Sequence, residues 1–198
     1  MDLFSRLETI PLYSAIAGAL FLVLLAFFFY VLMIFNNLVR LRIMISKAWA
    51  NVDVLLKQRH DEVPNLVAVI EGVKDFEKSV MTQVAEARAA TQRAAGPTAQ
   101  GEAEKTLTGA LGNLFAVAEN YPTLKAQENF LMLQKRLSEL EDAIADRRTF
   151  YNESVAAYNA RIREFPDVLL ANTFKFLPQE MFQAGAGEKE PVKVGLLR

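Results

Sequence analysis

The sequence predicts an all-α protein: an N-terminal transmembrane helix followed by an antiparallel, up-and-down four-helix bundle with long helices. Three observations predict it. One early stretch carries no charge over a length greater than a bilayer core. Beyond it, apolar residues recur at steps of three and four. No strand-like alternation survives outside that first stretch.

The charge-free stretch runs from Thr9 to Val39, and its centre, LYSAIAGALFLVLLAFFFYVLMIF (Leu12 to Phe35), has 24 residues. As a helix it spans about 36 Å against a hydrocarbon core of about 30 Å. A cleaved signal peptide wants a basic start, a shorter apolar region and a small-residue cleavage site after it. Here MDLFSRLETI carries one arginine against two acids, and the small residues Ala15 to Ala19 precede most of the apolar run. The segment therefore reads as a retained anchor. The absence of cysteine excludes a lipid anchor on that residue.

Orientation follows from the basic residues near the span. Arg40, Arg42 and Lys47 follow it, whereas Arg6 precedes it; lysine and arginine stay preferentially on the cytoplasmic side. The sequence thus divides into a short extracytoplasmic N-terminus (1–11), the span (12–35), a cytoplasmic bundle (36–176) and a flexible C-terminal tail (177–198). Residues 1–35 hold one base (Arg6) and two acids (Asp2, Glu8) of the chain's 22 and 23, so the remainder is formally neutral. Neutrality argues against nucleic acid as a partner, since that needs an excess of basic residues on one face.

Each bundle helix has its own stripe. Leu38, Leu41, Ile45, Ala48, Val52 and Leu55 extend the anchor helix to about residue 62, where Pro64 interrupts it. A second helix then carries Leu66, Val69, Val73, Phe76, Val80, Val84 and Ala87. AAGPTAQG (Ala94 to Gly101) ends it, and Ala103, Leu107, Leu111, Leu114, Ala118 and Tyr121 mark a third, closed by NYPT. The longest stripe is last: Phe130, Leu133, Leu137, Leu140, Ile144, Arg147, Tyr151, Val155, Tyr158, Ile162 and Phe165, with Thr123 placed to cap the start. From Leu124 to Phe165 such a helix spans about 63 Å, against about 37 Å for the first helix beyond the membrane. Its overhang must be covered, either by the apolar tail around Val168, Leu169, Leu170, Phe174 and Phe176 or by a second copy of the chain. The expectation favours a homo-oligomer through Tyr158, Ile162 and Phe165.

Nothing along the chain assembles a catalytic motif. The single histidine stands in QRHDEVPNLV; consecutive His60, Asp61 and Glu62 diverge by about 100° each on a helix and cannot converge on one metal. There is no HExxH, no GxSxG and no phosphate-cradling glycine loop. Ser46, Ser79, Ser138 and Ser154 have only one histidine between them for activation. No catalytic, cofactor-binding or metal-ligating residue is assigned, and the protein is read as a non-enzyme without cofactors. Arg147, on the last stripe, needs a carboxylate such as Asp53 or Glu71 if buried; otherwise its head reaches water. The pair YN recurs one heptad apart, at 151–152 and 158–159, and reads as a register device bonding to a neighbouring helix.

The segments FNNLVRLRIMISKAWANVDVLLKQRHDEVPNLV, VAEARA, NYPTLKAQENFLMLQKRLSELEDAIADRRTFYNESVAAYNARIREFP and NTFKF together resemble the LemA family of bacterial membrane proteins. The resemblance covers residues 35 to 176 and rests on AWANVD, PNLV, ENF, RRTFYN and the later YN and FP. It implies a cytoplasmic four-helix bundle, an extracytoplasmic N-terminus and no established catalytic activity. It also implies that His60 is a tolerated surface variation at a turn. The resulting expectation is a single-pass inner-membrane scaffold or adaptor that contacts the lipid bilayer, itself and other membrane proteins. The alternative is a regulatory partner of a membrane-bound protease or transport system.

Overall fold

A computed structural model describes residues 2–182, with side chains from Ser14 to Phe182. Among the described residues there are six helices: α1 (Asp2–Glu71), α2 (Lys78–Arg93), α3 (Pro97–Ala118), α4 (Pro122–Lys125), α5 (Glu128–Arg161) and α6 (Asp167–Thr173). No strand occurs among the described residues. The chain forms two compact units, one of the residues through Met44 with Ala157–Pro178, the other of Ile45–Ala156 with the residues from Gln179. α1 contains a stretch long and apolar enough to cross a membrane, and its side chains from Ile16 to Met33 are almost all exposed.

The first correction concerns Pro64. The sequence reading ends the first helix near residue 62; α1 instead passes through Pro64 to Glu71, so Leu66 and Val69 belong to α1 and Val73 to a loop. A proline inside a helix withholds the N–H that should reach the carbonyl four residues back. That carbonyl is His60 O, and Arg88 on α2 donates its Nε–H to it at 3.1 Å. A donor from outside α1 thus satisfies the group that the proline orphans. The break falls at Gly72 to Glu77, where Asp75 adopts φ 66°, a left-handed conformation that aspartate tolerates better than most residues. Tyr121 fixes this loop, donating its hydroxyl to Asp75 O at 2.9 Å while its ring packs on Phe76 at 5.0 Å.

In the unit from Ile45 onward, one core joins the end of α1 (Val63, Leu66, Ile70), α2 (Val80, Val84, Ala87), α3 (Leu107, Leu111, Leu114, Ala118), Leu124 of α4 and the start of α5 (Phe130, Leu133, Leu137). Each buried aliphatic or phenyl side chain contributes about 1.5–3 kcal/mol. α2 and α3 pack on each other across a break at Gly96, whose φ of 85° suits glycine, followed by Pro97 in the first turn. The long last helix is two elements. Thr123 lies within α4 and does not cap α5, which starts at Glu128 and stops at Arg161.

In the other unit the tail returns over the end of α5. Phe176 N–H reaches Ala171 O at 2.9 Å and Phe174 N–H reaches Leu170 O at 2.9 Å, with Lys175 left-handed at φ 56°, a Schellman-type closure of α6. It sets the Phe174 and Phe176 rings 4.9 and 5.8 Å from Phe35. Tyr158 and Ile162, expected to meet a second copy, are buried within the chain at 0% and 6% exposure, whereas Phe165 is 80% exposed. Tyr158 donates its hydroxyl to Leu177 O at 3.1 Å. Burial pushes that phenol above its usual 10.0, with Arg42 opposing.

Pro64 and Arg88 should therefore be energetically coupled. Arg88→Met leaves a partly buried carbonyl without a donor and should cost about 1–3 kcal/mol. In a Pro64→Ala background the introduced alanine supplies the missing N–H, and the cost should fall to that of an ordinary surface change, about 0.5 kcal/mol. Chemical denaturation of the four proteins in one detergent measures the coupling; equal costs in both backgrounds would remove this account.

Candidate functional site

The stripe of α1 that faces the core steps through Val52, Leu56, Arg59, Val63, Leu66 and Ile70. That of α3 steps through Glu104, Leu107, Leu111, Leu114 and Ala118. Each spacing is three or four, so an arginine and a glutamate stand where apolar residues belong. They meet. Arg59 Nη1 lies 3.4 Å from Glu104 Oε2, with the two side chains 3% and 7% exposed. Arg59 Nη2 donates to Thr108 Oγ1 at 2.7 Å, and Gln100 Nε2 donates to Glu104 Oε1 at 3.4 Å. Burial pushes the Glu104 carboxyl above its ordinary 4.5; Arg59 and Gln100 oppose the rise and Glu141 adds to it.

Two clefts flank the pair. One of about 450 Å³ is lined by Asp53, Lys57, His60, Asp61, Gln100 and Glu104 among others; a narrower one of about 210 Å³ is lined by Arg59, Glu104, Lys105, Glu141 and Arg148 with Ile144 and Phe182. Glu104 borders both. His60 therefore opens into a cleft and is not the exposed turn residue of the sequence reading. Its side chain is 16% exposed, because the helix continues and turns it toward α2. Arg88 Nη2 stands 3.3 Å from His60 Nδ1, and Asp61 Oδ1 stands 3.5 Å from the same atom. One nitrogen cannot accept from Arg88 and donate to Asp61 at once. The two contacts thus belong to different tautomers of the ring, and its other nitrogen, Nε2, is a buried atom without a protein partner.

Of the HDE triplet, His60 and Asp61 approach each other and Glu62 has a different partner. Glu62 accepts from Asn65 at 3.3 Å on an exposed surface. Among the described residues no group of three histidine, aspartate or glutamate side chains could hold a metal. None of Ser46, Ser79, Ser138 or Ser154 lines the cleft of His60; Ser154 donates to Phe150 O at 2.8 Å in its own helix. Arg147 is exposed, so its head reaches water, and the buried arginine is Arg59.

The first YN pair binds a segment without secondary structure, not a neighbouring helix. Tyr151 donates its hydroxyl to Glu180 O at 2.8 Å. The Asn152 amide bonds Phe182 twice, Nδ2–H to its carbonyl at 3.0 Å and Oδ1 from its N–H at 2.8 Å, as a strand partner would. The Phe182 ring, 2% exposed, lies 6.0 Å from Trp49, which itself packs on Tyr151 at 5.3 Å. Thr98 adds bonds to Glu180 Oε2 and Met181 O, both at 3.3 Å. The tail expected to be flexible from residue 177 is thus held through Phe182; residues 183–198 of that expectation lie outside the described residues.

A fold that is helical throughout its ordered elements among the described residues, with a helix long and apolar enough to cross a membrane and a buried charge pair among the helices, fits the class of membrane-associated helical proteins. The sequence model of the LemA family matches residues 48–195, and the chain belongs to that family. Magnetosome protein MamQ of Magnetospirillum gryphiswaldense is 27% identical over 195 residues, covering 85% of this chain and 72% of that protein. Magnetosome protein MamQ 2 of Paramagnetospirillum magneticum is 37% identical over 83 residues, covering 42% of this chain but only 30% of that protein. Protein LemA of Metamycoplasma hominis is 25% identical over 164 residues, covering 82% and 75% of the two chains.

The charge pair and the tail can each be tested by substitution. Glu104→Leu alone strands a buried guanidinium and should cost about 3–5 kcal/mol, whereas Arg59→Met with Glu104→Leu should recover most of that loss. Because the folded-state value of Glu104 is raised, the folded state holds its proton to higher pH than the unfolded chain. Stability relative to Glu104→Gln should therefore fall as pH rises from 4.5 through the raised value and then level off. Denaturant titrations across that window check the sign; a rise would show that the pair outweighs burial. Asn152→Leu removes both bonds to Phe182, and amide exchange at Phe182 should accelerate while exchange at Leu114 stays slow. Unchanged exchange at Phe182 would mean that Tyr151 and Thr98 suffice.

Proposed function

We propose that the protein is a single-pass membrane protein, inserted in the bacterial inner membrane with its N-terminus outside, whose helices beyond the span form an antiparallel up-and-down four-helix bundle in the cytoplasm. The bundle is a non-enzymatic scaffold or adaptor that binds other membrane or membrane-associated proteins. The observation that carries this reading is the composition of α1: an exposed apolar stretch continues in the same helix into a stripe that contributes Val63, Leu66 and Ile70 to a packed core. A helix exposed and apolar along one part suits lipid, and a helix apolar on one stripe suits packing in water.

Support for orientation comes from Arg40, Arg42 and Lys47 after the span. Support for a non-catalytic role comes from the buried pair, in which Arg59 and Glu104 are bonded to each other, to Thr108 and to Gln100. The reading also has anchored copies self-associating, through surfaces other than Tyr158 and Ile162, which the chain covers itself. A mass in detergent equal to one chain, by light scattering, would remove that part.

A fusion after Arg198 tests the topology. A fluorescent reporter that matures in the cytoplasm should be active there, and alkaline phosphatase, which requires export, should be inactive. Phosphatase activity would reverse the orientation.

A further inference from the structure

The last residue of the apolar run of α1 is Phe35, followed by Asn36, Asn37 and Arg40. In a membrane-crossing helix that change of composition marks the exit from the hydrocarbon. Phe174 and Phe176, at 4.9 and 5.8 Å from the Phe35 ring, therefore share its depth. Around them the segment from Phe165 to Leu177 leaves four large apolar side chains uncovered: Phe165 at 80% exposure, Leu169 at 59%, Phe174 at 55% and Leu177 at 69%. The inward side of the same segment is closed, since Asp167 and Ala171 are 1% and 2% exposed. Phe165, Leu169 and Leu177 thus leave most of their surface outside the fold, and Phe174 packs on Phe35 with only part of its ring.

Charge around this segment has one dominant sign. Arg40, Arg42, Arg163 and Lys175 are exposed, against Glu164 alone, because Asp167 is buried and ion-paired with Arg161. Arg161 also lies 3.6 Å from Glu164 and lines a notch of about 550 Å³ whose other walls include Phe29, Met33, Asn37 and Arg40. An arginine that reaches the last apolar turns of a span while its head is held at their polar end has the placement of a residue at the boundary of acyl chains and phosphates. Water would penalise the apolar four, whereas a headgroup layer accepts both apolar side chains and cations, and anionic lipid attracts lysine and arginine near the surface.

We propose that the segment Phe165–Leu177 is a second membrane contact, immersed in the headgroup and upper acyl region of the leaflet through which α1 leaves the bilayer, with anionic phospholipid as its preferred partner. The proposal rests on the reading of α1 as a membrane span. It assigns a role to a part of the chain that lies outside both the span and the polar centre. In it the chain touches the bilayer twice, and the α6 end of the structure is tethered as well as the start.

The chain has no cysteine, so single replacements can carry a nitroxide without removing native residues of that type. Full-length protein with Phe165→Cys, Leu169→Cys, Leu177→Cys, Leu24→Cys or Arg147→Cys is labelled and placed in nanodiscs of phosphatidylcholine with phosphatidylglycerol. Collision rates with oxygen and with a water-soluble nickel chelate are then compared. The oxygen-to-nickel ratio should be several-fold higher at residues 165, 169 and 177 than at 147, and highest at 24. Charge reversal of Arg163 and Lys175 together should lower the ratio at the three sites and leave 24 unchanged. Ratios at 165, 169 and 177 equal to that at 147, with 24 still lipid-exposed, would overturn the proposal and leave the span standing. A water-exposed 24 would overturn both. Spin–spin broadening at 165, abolished by dilution with unlabelled protein, would place a second copy there and overturn the bilayer contact.

Discussion

Because Pro64 has no N–H, the carbonyl of His60 must find its donor outside α1, and Arg88 provides it at 3.1 Å. The core depends on that bond. With the orphaned carbonyl satisfied, α1 continues for another two turns, and those turns carry Leu66 and Ile70, each wholly buried among α2, α3, α4 and α5. Had the helix ended before Pro64, these side chains would belong to a separate element and the loop of Asp75 and Phe76 would lie earlier. The same guanidinium approaches His60 Nδ1, so one side chain settles both the backbone and the ring at this position. Its plane of fixed donors suits that double task better than the single head of lysine.

The ion pair of Arg59 and Glu104 works differently. Burying two charges costs several kcal/mol for each, and a pair separated by 3.4 Å with one short hydrogen bond, from Arg59 to Thr108, does not recover all of it. The raised carboxyl of Glu104 says the same, since its largest cause is burial. What the pair contributes is alignment. A leucine stripe tolerates slippage of one helix past another by a turn, whereas the arginine on the buried stripe of α1 and the glutamate on the buried stripe of α3 meet in one alignment only. The cost in stability is offset by the penalty that every other alignment would incur with both charges unpaired.

Period is readable in the sequence, and its phase and interruptions are less so. Apolar spacing puts Leu55 and Ala103 on the stripes, yet the buried residues are Leu56 and Glu104, each one position later. A stripe anchored on apolar letters skips a charged residue that occupies the same face, so it passes over Arg59 and Glu104 although both stand in register with the leucines. Conversely, Arg147 is in step with the apolar run as read from the sequence and proves exposed, because the inward stripe of α5 steps from Ile144 through the half-buried Arg148 to Tyr151. Pro64 obeys a local rule in the sequence, and the rule loses to a tertiary donor that no local pattern announces. The recurrence of YN is legible as a device for packed tyrosines. Its partner at the first pair, a non-helical segment around Phe182, is not, because such a segment has no period to detect. Spacing yields no catalytic motif, and the cleft that the geometry gives the histidine, bordered by the charge pair's Glu104, is assembled from α1, α2 and α3 residues that no local pattern links.

The C-terminal segment shows how one stretch can satisfy two solvents. Between Glu180 and Phe182 its backbone groups are bonded by Tyr151, Asn152 and Thr98, and its one large ring is buried. That is the behaviour of chain completing a protein surface in water. Between Phe165 and Leu177 the pattern inverts: the polar Asp167 faces inward to Arg161, and the apolar rings face outward. An inside-out distribution of this kind is unfavourable in water, where Asp167 would be better exposed and Phe165 better covered. It becomes favourable when the outer medium is less polar than the pocket that receives the carboxylate. The switch from one pattern to the other occurs within a few residues of Leu177, and the side with inverted polarity is the side whose rings touch Phe35, the last residue of the apolar run. The polarity of each stretch thus follows the medium that its composition implies, and the same rule accounts for the exposed Phe165 and the buried Phe182.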